Sequence, residues 1–185
     1  MKKSPIFILT GTPASGKTSV SKALLARYAF GIHIPVDVLR GLVISGESNP
    51  IGSWDEETDR QFRLARDSAA KIASTYAQAG FTVVIDDVIF PDMIAHHYDK
   101  ALAAFEVHKI LLRPSIAATI SRNKARKIDV DNAQLEKIIQ PIYDHFATFN
   151  LHKLEKSGWY IIDTSSYSIE ETVSELNAQI GSYPE

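Results

Sequence analysis

The sequence contains no cysteine. That excludes a disulfide scaffold and any zinc site built on thiolates, and it accords with a reducing, cytoplasmic setting. Long hydrophobic runs are missing too. The apolar stretch Ile6 to Leu9 is soon interrupted by Gly11 and is too short for a signal-peptide core or a membrane span, so a soluble chain with no membrane partner is expected. Nor is there a surplus of positive charge. The 20 Lys and Arg stand against 22 Asp and Glu, a formal net charge of −2, so no general basic field draws in nucleic acid. No internal repeat, low-complexity tract or motif that would fix an oligomeric state is visible. What remains is 185 residues, 45% hydrophobic and 23% charged, an ordinary composition for one domain carrying at most a small inserted lid.

Apolar runs of strand length alternate with longer segments of helical period, which predicts a parallel α/β sheet covered on both faces. The strands are expected at Pro5 to Thr10, Ile32 to Val36, Thr82 to Val88, Val107 to Leu112 and Trp159 to Ile162. Each is nearly continuous in apolar residues, as buried parallel strands are. Helices are expected over Lys17 to Tyr28, Glu56 to Ala79, Pro91 to Ala104, Pro114 to about Ala125, Asn132 to about Lys156 with a break or kink at Pro141, and Ile169 to Ile180. Ser45 to Asp55 and Arg126 to Asp131 lack period and read as loops beside a site.

The stretch GTPASGKT, Gly11 to Thr18, satisfies G-x-x-x-x-G-K-[ST] in full and lies between an apolar strand and an amphipathic helix. Glycines let such a loop curl with its N–H groups inward, and the following helix adds its positive end, so polyphosphate oxygens meet many donors at once. The candidate nucleotide-binding segment is Gly11, Thr12, Pro13, Ala14, Ser15, Gly16, Lys17, Thr18 and Ser19. Lys17 is expected on the β- and γ-phosphates as a catalytic cation, and the Thr18 hydroxyl on Mg²⁺, with ATP as donor.

Three further clusters supply candidates. Asp86 and Asp87 end a β-rich run, where a carboxylate faces the ligand crevice of an open sheet; at least one of them is expected to serve the metal. Asp37 and Arg40, in HIPVDVLRGL, follow the second strand: Asp37 is the candidate base for an acceptor hydroxyl, and Arg40 a candidate for holding the acceptor. The basic cluster Arg122, Lys124, Arg126 and Lys127 stands at a helix end, with Arg122 and Arg126 on one face; from a segment that closes over the donor, an arginine can raise the rate by about 10³ to 10⁵. Of Arg60, Arg63 and Arg66 in the long helix, Arg63 is the candidate for acceptor binding, the others reading as a solvated face. His96 and His97 are adjacent and cannot share a helical face, which argues against a metal pair. His33 reads as a core or edge residue, and Tyr98 and Tyr143 as packing.

Carried by GTPASGKT, VDVLR and VIDDVIF, the chain resembles the P-loop kinases of the nucleoside-monophosphate-kinase-like group, and within it the chloramphenicol-phosphotransferase-like small-molecule kinases. The resemblance implies a three-layer P-loop NTPase fold with a five-stranded parallel sheet ordered 2-3-1-4-5, and one kinase domain whose lid spans about residues 122 to 133. It also implies Asp37 as base, Arg122 and Arg126 as nucleotide-side and lid arginines, and a purine approached near Asp163. The implied reaction moves the γ-phosphoryl group of ATP to a hydroxyl of a metabolite or antibiotic. Kinases of nucleic-acid 5′ ends and of activated sugars share the loop and are alternative readings, as is a regulatory ATPase. A guanine-type N-K-x-D motif fails, because after Asn123 and Lys124 the fourth position is Arg126.

Overall fold

Ile6 and Ile8 point to one side of their strand, Phe7 and Leu9 to the other, and all four are fully buried. Both faces of this strand must therefore be covered, and the rest of the chain supplies the covers. The computed structural model describes residues 4–51, 54–125 and 132–181. In chain order they form β1 (Ile6–Thr10), α1 (Lys17–Leu25), β2 (Gly31–Pro35), α2 (Val36–Arg40), α3 (Glu56–Gln78) and β3 (Thr82–Asp86). Then come α4 (Pro91–Ile94), a π-helical turn (Ala95–Asp99), α5 (Lys100–Leu102), β4 (Val107–Leu112), α6 (Ile116–Ala125), α7 (Asn132–Ala147), α8 (Leu151–Lys156), β5 (Trp159–Ile162) and α9 (Ile169–Ile180).

The five strands are parallel and ordered β2-β3-β1-β4-β5, the order the resemblance implies. One layer packs Val20 and Leu24 of α1 and Val173 and Leu176 of α9 on Phe7, Leu9, Val84 and Ile110. The other packs α3 and the Pro91–Leu102 segment on Ile6, Ile8, Val83 and Ile85. The buried stripe of α3 is mostly alanine, Ala65, Ala69, Ala70, Ala73 and Ala77, which lets the helix axis lie close to the sheet. Asp55 caps its start, accepting from the Thr58 backbone N–H at 2.7 Å.

Two expectations about helices need correcting. At Pro141, where a break or kink is expected, there is no break: the helix runs from Asn132 to Ala147, and the break comes before Leu151, where Asn150 caps α8 by accepting from the Lys153 N–H at 3.0 Å. A competent cap decides where the new helix starts. The helix expected as continuous from Pro91 contains the π turn, which admits one extra residue per turn and sets Tyr98 into the core.

Candidate active site

The loop after β1 is shaped by two glycines for different reasons. Gly11 has φ +147°, and a Cβ there would lie 2.4 Å from the Leu112 carbonyl oxygen of β4, so no side chain fits. Gly16 has φ +103° with open space around it; the left-handed backbone that starts α1 is what selects glycine. Ala14, at the turn between them, also has positive φ, +62°. Lys17 is buried, and its Nζ folds back to donate to the carbonyls of Gly11 and Thr12 at 3.2 and 3.0 Å. The Thr12 and Ser15 hydroxyls are buried with no hydrogen-bond partner among the described residues. Such orphaned groups favour a ligand that offers oxygens.

The pleat then divides the two adjacent carboxylates. Asp86 points to the α1 side: its Oδ2 accepts from the Thr18 hydroxyl at 2.7 Å and lies 3.2 Å from His33 Nε2. Burial alone would raise this carboxyl, but the hydrogen bonds from His33 and Thr18 and the charge of Lys17 outweigh it and hold Asp86 below the usual range. Asp87 points to the α3 side, where its Oδ2 accepts from Arg66 Nε at 2.8 Å and from the Tyr98 hydroxyl at 3.1 Å. Both metal candidates are thus present, but Asp86 is the one beside Thr18.

Asp37, one residue into α2, lines a cavity of about 780 Å³ that also takes in Pro13, Ala14, Gly16, Lys17 and Thr18 of the loop. Asp37 is exposed to the cavity, with many protein atoms around it on the other sides. Burial raises its pKa, as do the charges of Asp87 and Asp86, against the lowering effect of Lys17 and Arg40. The result is a carboxylate shifted toward greater basicity. Beyond it the cavity wall is largely apolar, including Val38, Ile51, Trp54, Phe62, Phe90 and Ile142.

Arg40 also lines this cavity, but its Nη1 donates to the Ser48 carbonyl at 2.8 Å and its guanidinium lies 5.1 Å over the Phe62 ring. It therefore fastens the loop before α3, helped by Gln61, whose Nε2 donates to the Gly46 carbonyl at 2.7 Å. Arg63 does not line the cavity; it is about half exposed and sits 3.8 Å from Asp59. Arg66 is the arginine of this helix that lines the cavity. At about 100° per residue Arg66 lies about 40° from Phe62 on the helical wheel, within the buried stripe, whereas Arg63 lies about 100° away. That angle was readable in the sequence.

On the nucleotide side, Arg122 joins the phosphate loop to the end of β5. Its Nη1 donates to the Ser15 carbonyl at 3.3 Å and the Thr164 hydroxyl at 3.2 Å, and its Nη2 to the Thr164 carbonyl. Asp163 is exposed and turned onto Ser165, whose hydroxyl and N–H both donate to it and hold its carboxyl low. Ser19 is exposed on α1 and is not part of the cavity wall. Arg126, and the lid segment with it up to residue 131, lie outside the described residues. His33 was missed because its role depends on register: it stands two residues before Pro35, which pairs with Asp86 across the sheet.

A parallel sheet of this order, with a complete phosphate loop leaving its first strand, defines a P-loop kinase. Residues 4–178 match the model of the chloramphenicol phosphotransferase-like protein family, and the chain belongs to that family. No curated protein matches the sequence. Among solved structures it is similar in fold to the tunicamycin resistance protein of Deinococcus radiodurans, at 17% identity and TM-score 0.64 over 99% of this chain and 100% of that one. It is also similar to shikimate kinase from Bacteroides thetaiotaomicron, at 16% identity and TM-score 0.62 over 96% and 98% of the two chains. A gluconokinase from Sinorhizobium meliloti 1021 is similar at 13% identity and TM-score 0.64 over 96% and 92%. Among the described residues no helix is long and apolar enough to cross a membrane.

Proposed function

We propose that this chain is an ATP-dependent, Mg²⁺-requiring kinase, acting as a single domain, that transfers the γ-phosphoryl group to a hydroxyl on a small molecule with an apolar body. The observation that carries this reading is one cavity shared by the phosphate loop, Asp37 and an apolar wall. Its volume of about 780 Å³ lies within the range of about 300 to 1,000 Å³ usual for small-ligand sites.

The residues present suit the absent groups. The orphaned Thr12 and Ser15 hydroxyls and Lys17 suit a polyphosphate, and the hard oxygen donors of Thr18 and Asp86 suit Mg²⁺. When bound, Mg²⁺ would supply charge neutralisation on the phosphates. Asp37 accepts the proton of the acceptor hydroxyl as its oxygen bonds to the γ-phosphorus, and the bond to the β-γ bridging oxygen breaks to release ADP. Lys17 stabilises the charge that builds on the phosphoryl oxygens. Arg122 holds the loop against the Thr164 segment, fixing the donor's position.

An apolar wall is poor company for a nucleic-acid 5′ end or an activated sugar, both dense in charge or hydroxyls. The test is a screen of hydroxyl-bearing metabolites and antibiotics for acceptor-dependent ADP release, with Lys17→Ala as the blank. Release with at least one apolar alcohol and none in the blank is expected. Hydrolysis that no acceptor stimulates, across the whole panel, would overturn the reading in favour of a regulatory ATPase.

A further inference from the structure

His33 takes no part in the phosphoryl transfer, yet it is turned into the same cavity wall as Thr18, Asp37 and Asp86. It belongs to β2, which stands at the edge of the sheet. An edge strand offers a polar residue open solvent, and this ring does not take it: the side chain is only 14% exposed. Register accounts for where it goes. His33 pairs with Val84 and Pro35 with Asp86, so His33 stands diagonal to Asp86 on the same face of the sheet, within reach of a long side chain. Its Nε2 lies 3.2 Å from Asp86 Oδ2.

That oxygen is already in use. The Thr18 hydroxyl donates to the same Oδ2 at 2.7 Å. Two donors from separate elements, α1 and β2, thus converge on one oxygen, and neither bond goes to Oδ1. A carboxylate held by a single hydrogen bond can pivot about it; two anchored donors fix where the oxygen stands. The Thr18 hydroxyl has one hydrogen, spent on Asp86, and two lone pairs, so it can serve a cation without releasing this bond. An ionised carboxylate only accepts, so Nε2 carries the hydrogen, and nothing here turns on the charge of the ring. Partners of this kind orient the groups that hold a cation, and losing one typically weakens metal binding by about 10- to 100-fold.

We propose that His33 is a positioning residue of the Mg²⁺ site: by donating from Nε2 to Asp86 Oδ2 it holds this carboxylate beside Thr18, and so sets how strongly the nucleotide-loaded protein binds a divalent cation. This rests on reading Thr18 and Asp86 as the cation site of a kinase. One short strand then serves both sides of the cavity, because Asp37 follows His33 by four residues.

The test is calorimetric titration of the full chain with a non-hydrolysable ATP analogue, once with Mg²⁺ and once with EDTA. The ratio of the two affinities measures what the cation adds. His33→Phe keeps a ring without the donor, and His33→Gln keeps an N–H donor at similar reach. In His33→Phe the ratio is expected to fall about tenfold or more, with affinity in EDTA within about twofold of the parent's; in His33→Gln the ratio should stay within about threefold of the parent's. A merely structural role would weaken both titrations together and leave the ratio unmoved, and that result overturns the proposal. So does an equal fall in His33→Gln and His33→Phe. Circular dichroism checks the folding of each variant, and if His33→Phe does not melt cooperatively, His33→Leu takes its place. No binding of the analogue, or a parent whose affinity ignores Mg²⁺, overturns the Mg²⁺-requiring kinase reading and this proposal with it. A parent that responds to Mg²⁺ beside an equally responsive His33→Phe overturns this proposal alone.

Discussion

Asp86 and Asp87 are neighbours in the chain and opposites in the fold: Asp86 accepts from Thr18 on the α1 side, Asp87 from Arg66 on the α3 side. Alternation at the end of β3 thus sends one carboxylate toward the phosphate loop and the other into the framework behind the cavity wall. The two should respond to substitution in different ways.

Removing Asp87 should act on stability. Asp87→Ala leaves the Arg66 charge buried and unpaired, a loss of about 3 to 5 kcal/mol. Tyr98→Phe deletes a hydrogen bond to a charged group and should lose about 1 to 3 kcal/mol, with the ion pair intact. Urea unfolding of the two variants gives the order directly, and equal losses would contradict the geometry.

Asp37→Asn should slow transfer severely and strengthen the fold. Turnover is expected to fall by about 10² to 10⁴, the scale of a lost general base, with nucleotide affinity kept. Burial raises the Asp37 pKa, so its ionised form is disfavoured in the folded chain, and the stability it opposes is present at low pH and lost as pH rises through the raised value. Asparagine carries no charge at any pH, so the variant should melt higher than the parent at pH 7, and the gap should close as the pH is lowered. A lower melting temperature at pH 7 would refute the burial argument.

The same shift fixes the acid limb of the rate profile. Only ionised Asp37 accepts a proton, so kcat/KM should decline on acidification with a midpoint above the ordinary aspartate value of 3.8. A profile flat down to that value would take Asp37 out of the proton transfer.

Lys17→Ala should melt near the parent without ligand and lose the response to nucleotide. Ligand at 100 times its Kd stabilises by about 2.7 kcal/mol, so saturating ATP with Mg²⁺ should raise the parent's melting temperature visibly and the variant's hardly at all. Turnover should drop by about 10² to 10³.

Glycine substitutions can separate space from backbone. Gly11→Ala drives a methyl against the Leu112 carbonyl oxygen and should lose about 2 to 4 kcal/mol and the phosphate-loop geometry with it. Gly80→Ala, at φ +91° with nothing near, should lose only about 1 to 2 kcal/mol and leave turnover unchanged. Thermal unfolding and initial rates read both.

The strands and their helices were legible because the signals are local: apolar runs of strand length, helical period, glycine and proline at the ends. β4, β5 and α9 fall where the pattern puts them. The phosphate loop was legible for the same reason. What escaped depends on which residues the folded chain brings together. Nothing near Arg66 in the sequence announces Asp87, which is 21 positions away, or a tyrosine set into the core by a π turn. His33 reads as a strand residue until register places it beside Asp86. Pro141 looks like a breaker, but continuing helical contacts on both sides of it and a good cap at Asn150 carry the helix past.

The π turn from Ala95 to Asp99 makes this part of the protein sensitive to reading-frame length rather than to residue identity alone. It holds one residue more than an α-helical turn would, so loss of a single codon within it would restore regular winding and yield a locally better helix. That repair would swing Tyr98 by about 100° away from Asp87. A one-residue deletion here, mild by every measure of helix formation, should therefore unfasten the cavity wall from behind.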